Sequence, residues 1–450
     1  MKHIVKTAMF VSTVTAVVLT YQNCSGAVGQ ATQMSSSGND LSSDHPDAPT
    51  PVPPQTTSGP IYYFSNCGSG AAPTCVPGDN ANDGTSAARP KRDLSGFNFN
   101  TLPAGTQLLF ARGGAWGFTG FIRLENNNVT TAQPLVIDAY GSGDAPLFVA
   151  IGLVGPLFEF GSLGNVNNDG GYSIRNLRLD GTGTSAWGFW LRDNVHHVTL
   201  ESLQITGFQI GIHSQSAAPT GVRNFVLRNS QIYRNGSMGI LGQFIDSVIE
   251  NNLFLNNNFS GSGFNHAIYL SGNANGGTNI TIRGNVFDRN SVVDGVCTGG
   301  NVTFHGVMDG VLIENNTIRQ DAATGGCYGF SITAGYNTAE SFTNFVVRGN
   351  TVVNLGNCSV CANSAPGIVV ENNTFVNSQT NYHSGVSIGG PPDPGDAPDR
   401  DAIVRDNIAC FPNTAPNQSV VALNNVPNSQ LSNNTLYQGA AAAIPACDPD

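Results

Sequence analysis

SVIENNLFLNNNFSGSGFNHAIYLSGNANGGTNITIRGNVFDRN, residues 247–290, contains one phrase twice. VIENNLFLNNN (248–258) and ITIRGNVFDRN (280–290) each run as a short alternating apolar stretch, an Asn, an apolar residue and a polar turn. Alternation with period two is the mark of a strand with one buried side. Between the copies lies a different strand-like phrase, HAIYLSG (266–272).

The same phrase recurs along much of the chain. Aligned on the residue two before the last apolar strand residue, the copies place Leu177, Leu203, Ser230, Asn252, Asn285, Asn316, Asn350, Asn373, Asn407 and Asn434 in one column. A repeat of this period signals a solenoid, in which each unit buries its apolar side only by stacking on its neighbours. The expected fold is all-β: a parallel β-helix of about ten or more coils, roughly 4.8 Å apart. The shortest interval, 230 to 252, is one bare coil, and longer ones carry loop insertions. Stacked Asn side chains can hydrogen-bond along the column, which satisfies amides that are costly to bury unpaired. Arg175, Arg228, Arg283 and Arg348 precede the turn where other copies carry Glu250, Glu314 and Glu371, so ion pairs between neighbouring coils are expected.

Composition agrees. The 450 residues include 54 Gly and only 11% charged residues, with β-branched runs between Asn, Thr and Ser, a pattern that disfavours long helices. The net charge is −11 and Lys occurs only at Lys2, Lys6 and Lys91, which excludes nucleic acid as the main partner. A neutral ligand fits, as does an anion gripped locally by Arg or a bound cation.

Four divisions are expected. Residues 1–23 read as a signal peptide: Lys2, His3 and Lys6 precede AMFVSTVTAVVL, which is too short for an ordinary membrane span. Cys24 directly follows, so the reading is of lipoprotein type, with Cys24 the lipidated first residue and a lipid anchor in the membrane. Plain cleavage after Ser25-Gly26-Ala27 is the alternative. Residues 24–60, rich in Ser, Pro and Thr, read as a disordered tether, 61–440 as the β-helix and 441–450 as a cap. The protein is thus expected to be a monomer at the bacterial outer membrane or cell surface, or otherwise periplasmic or secreted. Removing Cys24 leaves eight cysteines, which suit disulfides in an oxidising compartment. Neighbour pairing would join Cys67–Cys75, Cys297–Cys327, Cys358–Cys361 and Cys410–Cys447, though spacing alone leaves connectivity open. A metal site at Cys358-Ser-Val-Cys361 is the rival and lacks a second such pair. The oxygen-rich loop 78–86 reads as a capped turn; Ca²⁺ is the alternative, without a full ligand pattern.

The E-N-N and R-G-N phrases, HAIYLSG, and GDNANDGTSAARP (78–90) followed by LPAGTQLLFARGGAW (102–116) make the chain resemble the right-handed parallel β-helix proteins of the pectate-lyase-like superfamily. The resemblance spans roughly 61–440. It implies a protein that binds or processes a polysaccharide or cell-surface glycan on an outer strand face, as a lyase or glycoside hydrolase if catalytic. Lyases of this type use Lys or Arg as base, often with Ca²⁺. No Lys follows Lys91, so Arg192, Arg289 and Arg319 remain. Hydrolases would need clustered carboxylates; Asp294 and Asp309 are the candidates, although both precede Gly in turn-like contexts. The paired-Asp phrase of such hydrolases is not present.

Alternation supplies a further set. In GFWLRD (188–193), Phe189 and Leu191 point inward, Trp190 and Arg192 outward; in IGIHS, His213 points out; in HAIYLSG, Tyr269 does. If these strands are equivalent, Trp190, His213, Tyr269, His305 and Tyr328 share one outer side. Aromatic faces suit sugar rings, and His266, His305 and Tyr269 can carry acid–base chemistry. The expected catalytic set is therefore His266, Tyr269, His305, Asp309 and Asp294, with Trp190, Arg192, His213 and Tyr328 binding substrate. A non-catalytic surface adhesion or structural solenoid is the competing reading. Compact grouping of the ionisable residues separates the two.

Overall fold

One coil runs from Ile245–Glu250 through Leu253–Leu255 to His266–Gly272. The next repeats it as Thr278–Arg283, Val286–Asp288 and the start of a 15-residue strand, Gly300–Glu314. Each strand pairs in parallel with its counterpart one coil on, which builds three stacked faces. We call them first, second and third in chain order. Gly300–Glu314 rounds the corner from third to first face, so those two form one 24-stranded sheet beside a 12-stranded second face. Parallel strands joined by such crossovers wind right-handed. This computed structural model describes residues 57–438, except 162–169, 184, 216–220, 260–264, 273–276, 322–325, 337, 380–383, 391–392 and 414–419.

The inward positions of the repeats meet in register. Leu227, Ile249, Ile282, Ile313, Val347, Val370 and Val404 follow one another along the first face and are all fully buried. Earlier coils fill the same interior with aromatic rings: Phe64 on Phe110 at 4.9 Å and Phe158 on Phe189 at 5.1 Å. Burial of this continuous column supplies the stability that a single coil cannot.

The corner between first and second faces explains the E-N-N and R-G-N phrases. The residue after the Glu or Arg adopts left-handed backbone: Asn251 at φ 54°, Gly284 at 63°, Asn315 at 55°, Gly349 at 63° and Asn372 at 55°. Asn and Gly tolerate that conformation best. They alternate for a steric reason, since a Cβ on Gly284 or Gly349 would stand 2.4 Å from the Asn251 or Asn315 side-chain oxygen of the previous coil.

The next residue forms the expected Asn ladder. Amide nitrogens donate to the next coil's side-chain oxygen from Asn252 to Asn285, Asn316, Asn350, Asn373, Asn407 and Asn434, each at 2.9–3.0 Å. Each oxygen also accepts the backbone N–H of the preceding Asn. A second, shorter ladder joins Asn235, Asn257 and Asn290 at 3.0 Å per step, in a stretch that reads only as a polar turn. The charges before the corner alternate coil by coil, and each Glu holds the Arg one coil on: Glu201–Arg228, Glu250–Arg283, Glu314–Arg348 and Glu371–Arg405 at 2.6–2.8 Å.

Disulfides join Cys67–Cys75, Cys297–Cys327 and Cys358–Cys361, so the Cys-Ser-Val-Cys pair is not a metal site. The loop at 78–86 closes on an internal cation: the Lys91 ammonium donates to the Asn82 and Asn80 carbonyls at 2.7 and 3.3 Å. The expected signal peptide, Cys24 lipidation, most of the tether, the cap and Cys447 lie outside the described residues. The last described strand, Thr435–Gln438, lies within the expected β-helix bounds.

Candidate functional site on the third face

The third face carries its aromatic and imidazole groups in two patches. The first is on Trp187–Arg192 and Ile210–Gln215, which pair with Trp190 beside His213. Trp187 packs on Trp190 at 4.6 Å and on His213 at 5.4 Å. The Arg192 guanidinium lies 4.1 Å over the Trp190 ring, a cation–π contact, and binds Glu159 at 2.6 Å. Glu159 also holds Arg123 at 2.8 Å. Burial pushes the His213 imidazole down to about 4, so it is neutral at ordinary pH.

Leu241 is the register partner of both His213 and Tyr269. It therefore separates the first patch from the second, about two coils or 10 Å away along the axis. There four rings form a row: His266 to Tyr269 at 5.6 Å, Tyr269 to His305 at 5.4 Å, and His305 to Tyr336 at 4.6 Å, all within 32° of parallel. The Tyr269 and Tyr336 hydroxyls bond to each other. His305 pairs with Ser271 one coil back, two residues off the Tyr269 line, so the row runs obliquely across the strands.

His266 Nδ1 accepts the Gly300 N–H at 2.9 Å. Burial, reinforced by the nearby His305, pushes its pKa down to about 3. His266 is thus a neutral imidazole with its proton on Nε2, a hydrogen-bond donor and not the acid expected near neutral pH. His305 has a different partner. Its Nδ1 lies 3.3 Å from Glu340 Oε1. The Glu340 side chain is fully buried and accepts the Gly306, Gly335 and Tyr336 amides, the last at 2.7 Å. Burial raises the carboxyl, but hydrogen bonds from His305 and those amides outweigh it and leave Glu340 below its ordinary value. An ionised Glu340 fixes the proton of neutral His305 on Nδ1, which leaves Nε2 as an acceptor.

The structure thus brings His266, Tyr269 and His305 together, and Trp190 with Arg192 and His213. Tyr328 is on the same face but on the line through His266 and Gly300, two coils on, and is 43% exposed. Neither Asp joins them. Asp294 and Gly295, at φ 48° and 75°, form the tip of the hairpin Val292–Val293/Val296–Cys297, as turn chemistry favours for Asp-Gly. Asp309 has passed the corner onto the first face, where it pairs with Thr278 and accepts from Thr343 and Asn344 at 2.7 Å. Nor do the candidate lyase bases stand free: Arg192 is tied to Glu159, and Arg289 and Arg319 both bind Asp288 on the second face. Among the described residues no group of three His, Cys, Asp or Glu is placed to hold a metal ion.

Sequence reasoning missed Tyr336 and Glu340. Both sit in TAGYNTAES, an aperiodic segment at the corner between Tyr328–Ile332 and Ser341–Thr343. The available signal was a lone acidic residue in an aperiodic segment of a sparsely charged chain.

No protein-family model matches the chain, and no curated protein does. Solved structures do match. The lacto-N-biosidase of glycoside hydrolase family 136 from Eubacterium ramulus is similar at 15% identity over 84% of this chain and 68% of its own, with a TM-score of 0.58. A rhamnogalacturonan lyase matches at 15% identity, 84% and 87% coverage and TM-score 0.52. PfbA, a surface adhesin of Streptococcus pneumoniae, matches at 12% identity, 75% and 83% coverage and TM-score 0.51. At such identities the likeness is one of fold: the chain is a right-handed parallel β-helix.

Proposed function

We propose that this is an exported β-helix protein, lipid-anchored through Cys24, that acts on an acidic polysaccharide lying along its third face. The observation that carries the reading is the His266–Tyr269–His305–Tyr336 row with Glu340 behind His305. Two fold relatives act on glycans by name, one a hydrolase and one a lyase. Three structural disulfides suit an oxidising compartment outside the cytosol.

The groups in the row fit elimination better than hydrolysis. Hydrolysis by paired carboxylates needs two of them flanking the bond; Glu340, bonded to His305, is fully buried, and Asp294 and Asp309 lie away from the row. In elimination, His305 Nε2 takes the proton from the sugar carbon next to the uronate carboxylate. The electron pair forms the C=C bond as the glycosidic C–O bond breaks, and the Tyr269 hydroxyl protonates the departing oxygen. Tyr336, bonded to Tyr269, returns a proton to it from solvent. The His266 Nε2–H donates to the carboxylate as charge builds there. Trp187 and Trp190, about two coils away, give neighbouring sugars an apolar face.

The test is a panel of uronate-containing and neutral glycans, read for unsaturated products and for new reducing ends. Tyr269→Phe and His305→Gln are expected to lower turnover about 10²–10⁴-fold while leaving the melting temperature nearly unchanged. The second reading is an adhesin. It is favoured by Tyr269, only 8% exposed and already bonded through its hydroxyl, and by the adhesin fold relative. Glycan binding without product of either kind would reject the enzyme reading in its favour.

A further inference from the structure

Near the start of the solenoid, away from the third face, a cavity of about 350 Å³ opens where the first-face strands Gln107–Ala111 and Leu135–Tyr140 end. Two loops wall it. One is clasped by the Cys67–Cys75 disulfide and bridged at Ala71 to Gly143. The other is folded back by the Arg89 N–H donating to the Ser86 carbonyl. Four alanines, Ala72, Ala87, Ala88 and Ala111, make the lining small and apolar. Thr74, Tyr140 and Ser142 add hydroxyls, and Arg112 adds the one charge. The Tyr140 ring is braced edge-on by Tyr63 at 5.1 Å.

Arg112 differs from the arginines that precede the first corner, Arg175, Arg228, Arg283, Arg348 and Arg405. Those each hold a carboxylate, whereas among the described residues none lies within ion-pair distance of Arg112. Its Nη1 makes one long bond, 3.5 Å, to the Gly143 carbonyl. Asp138, the acidic group nearest in influence, is already taken by Arg175 at 2.6 Å and Asn176 at 2.7 Å. A half-buried guanidinium without a counter-ion retains most of its donors for an incoming anion. A largely apolar pocket with a few convergent polar groups is the usual form of a small-ligand site.

We infer that this cavity binds a carboxylate-bearing sugar of monosaccharide size. One guanidinium balances one carboxylate, whereas a phosphate brings roughly −1.5 to −2 charge. The hydroxyl-bearing side chains match a polyol, and the volume lies at the small end of the 300–1,000 Å³ expected of ligand pockets. The site is separate from the ring row and does not depend on chemistry there.

Titration calorimetry on the folded protein tests it, with galacturonate and glucuronate against galactose, glucose, acetate and sulfate. Both uronates are expected to bind, and the neutral sugars to bind about tenfold more weakly or worse, the factor a charge-assisted hydrogen bond supplies. Arg112→Gln should lose that preference. Ala72→Phe should block binding by filling the cavity while Arg112 remains, and Tyr269→Phe should leave it intact. Melting curves confirm that each variant is folded. Absence of uronate binding to the unmodified protein, or binding indifferent to Arg112→Gln, overturns the proposal. Equal binding of acetate or sulfate overturns the sugar assignment.

Discussion

At the first corner, Asn285 has equivalents above and below it in Asn252 and Asn316, and each meets the same kind of neighbour. On the third face no residue stands in for His305: its partners are Tyr269 from an earlier coil and Tyr336 and Glu340 from an aperiodic segment. The two regions share the same coils but spend their polar groups differently. The corner uses its hydrogen bonds on itself, coil after coil. The ring row retains imidazole nitrogens for something else. In a solenoid, repeated polar chemistry is scaffold, and aperiodic polar chemistry set on that scaffold is where activity is to be sought.

The contrast can be broken first at the ladder. Asn316→Ala removes the acceptor of the Asn285 backbone and side-chain N–H groups, both at 3.0 Å, and two donations to Ile282 and Asn350 at 2.9 Å. Leaving buried donors unpaired should cost about 3 kcal/mol in urea unfolding. Asn434→Ala, at the half-exposed end, should cost under about 1 kcal/mol. Equal small losses would show that the ladder does not carry stability.

Acid provides the next test. His213 and His266 have folded pKa values of about 4 and about 3, below the ordinary 6.5. The unfolded chain therefore takes up their protons first. Their contribution is complete above about pH 6.5 and is lost progressively as pH falls towards 4 and 3. Between pH 7 and 4.5 the melting temperature should drop on the order of 5 °C more for the native protein than for a His213→Gln/His266→Gln variant. Parallel curves would contradict the buried neutral imidazoles.

Glu340 sharpens the other side of the comparison, as a positioning residue acting through His305. Glu340→Gln is expected to lower kcat about tenfold, with KM little changed and the pH profile of kcat displaced, because a neutral amide no longer fixes the His305 proton. A merely structural role would lower stability and leave the profile in place. The smallest effect belongs to the exposed charge ladder. Arg283, whose side chain is 50% exposed, holds Glu250 at 2.7 Å, and Arg283→Ala should cost about 0.5 kcal/mol, less in high salt. A loss near that of Asn316→Ala would place the corner's stability in its charges.

Much of the scaffold was legible because it repeats. The column from Asn252 to Asn434 and the alternation of Arg and Glu follow from spacing, whereas the three disulfides were expected as neighbour pairs and took the structure to fix. The site was legible in part. Trp190, His213 and Tyr269 could be placed on one side because strand alternation sets side-chain direction locally. Asp309 could not, because Gly300–Glu314 turns a corner without a break, and His305 and Asp309, four residues apart, end on different faces. Glu340 could not either, since an aperiodic segment has no register to count from.

By itself, the sequence determined the coil: which residues face inward, where Asn or Gly must take left-handed backbone, and which amides and charges meet in the next turn. These are short-range consequences of a fixed period. Tertiary structure alone decided which aperiodic groups meet. Stacking set His305 beside Tyr269, the aperiodic segment carried Glu340 beneath it, and two loops closed around Arg112. Those contacts depend on how separate coils and loops come to rest against one another, and no period encodes that.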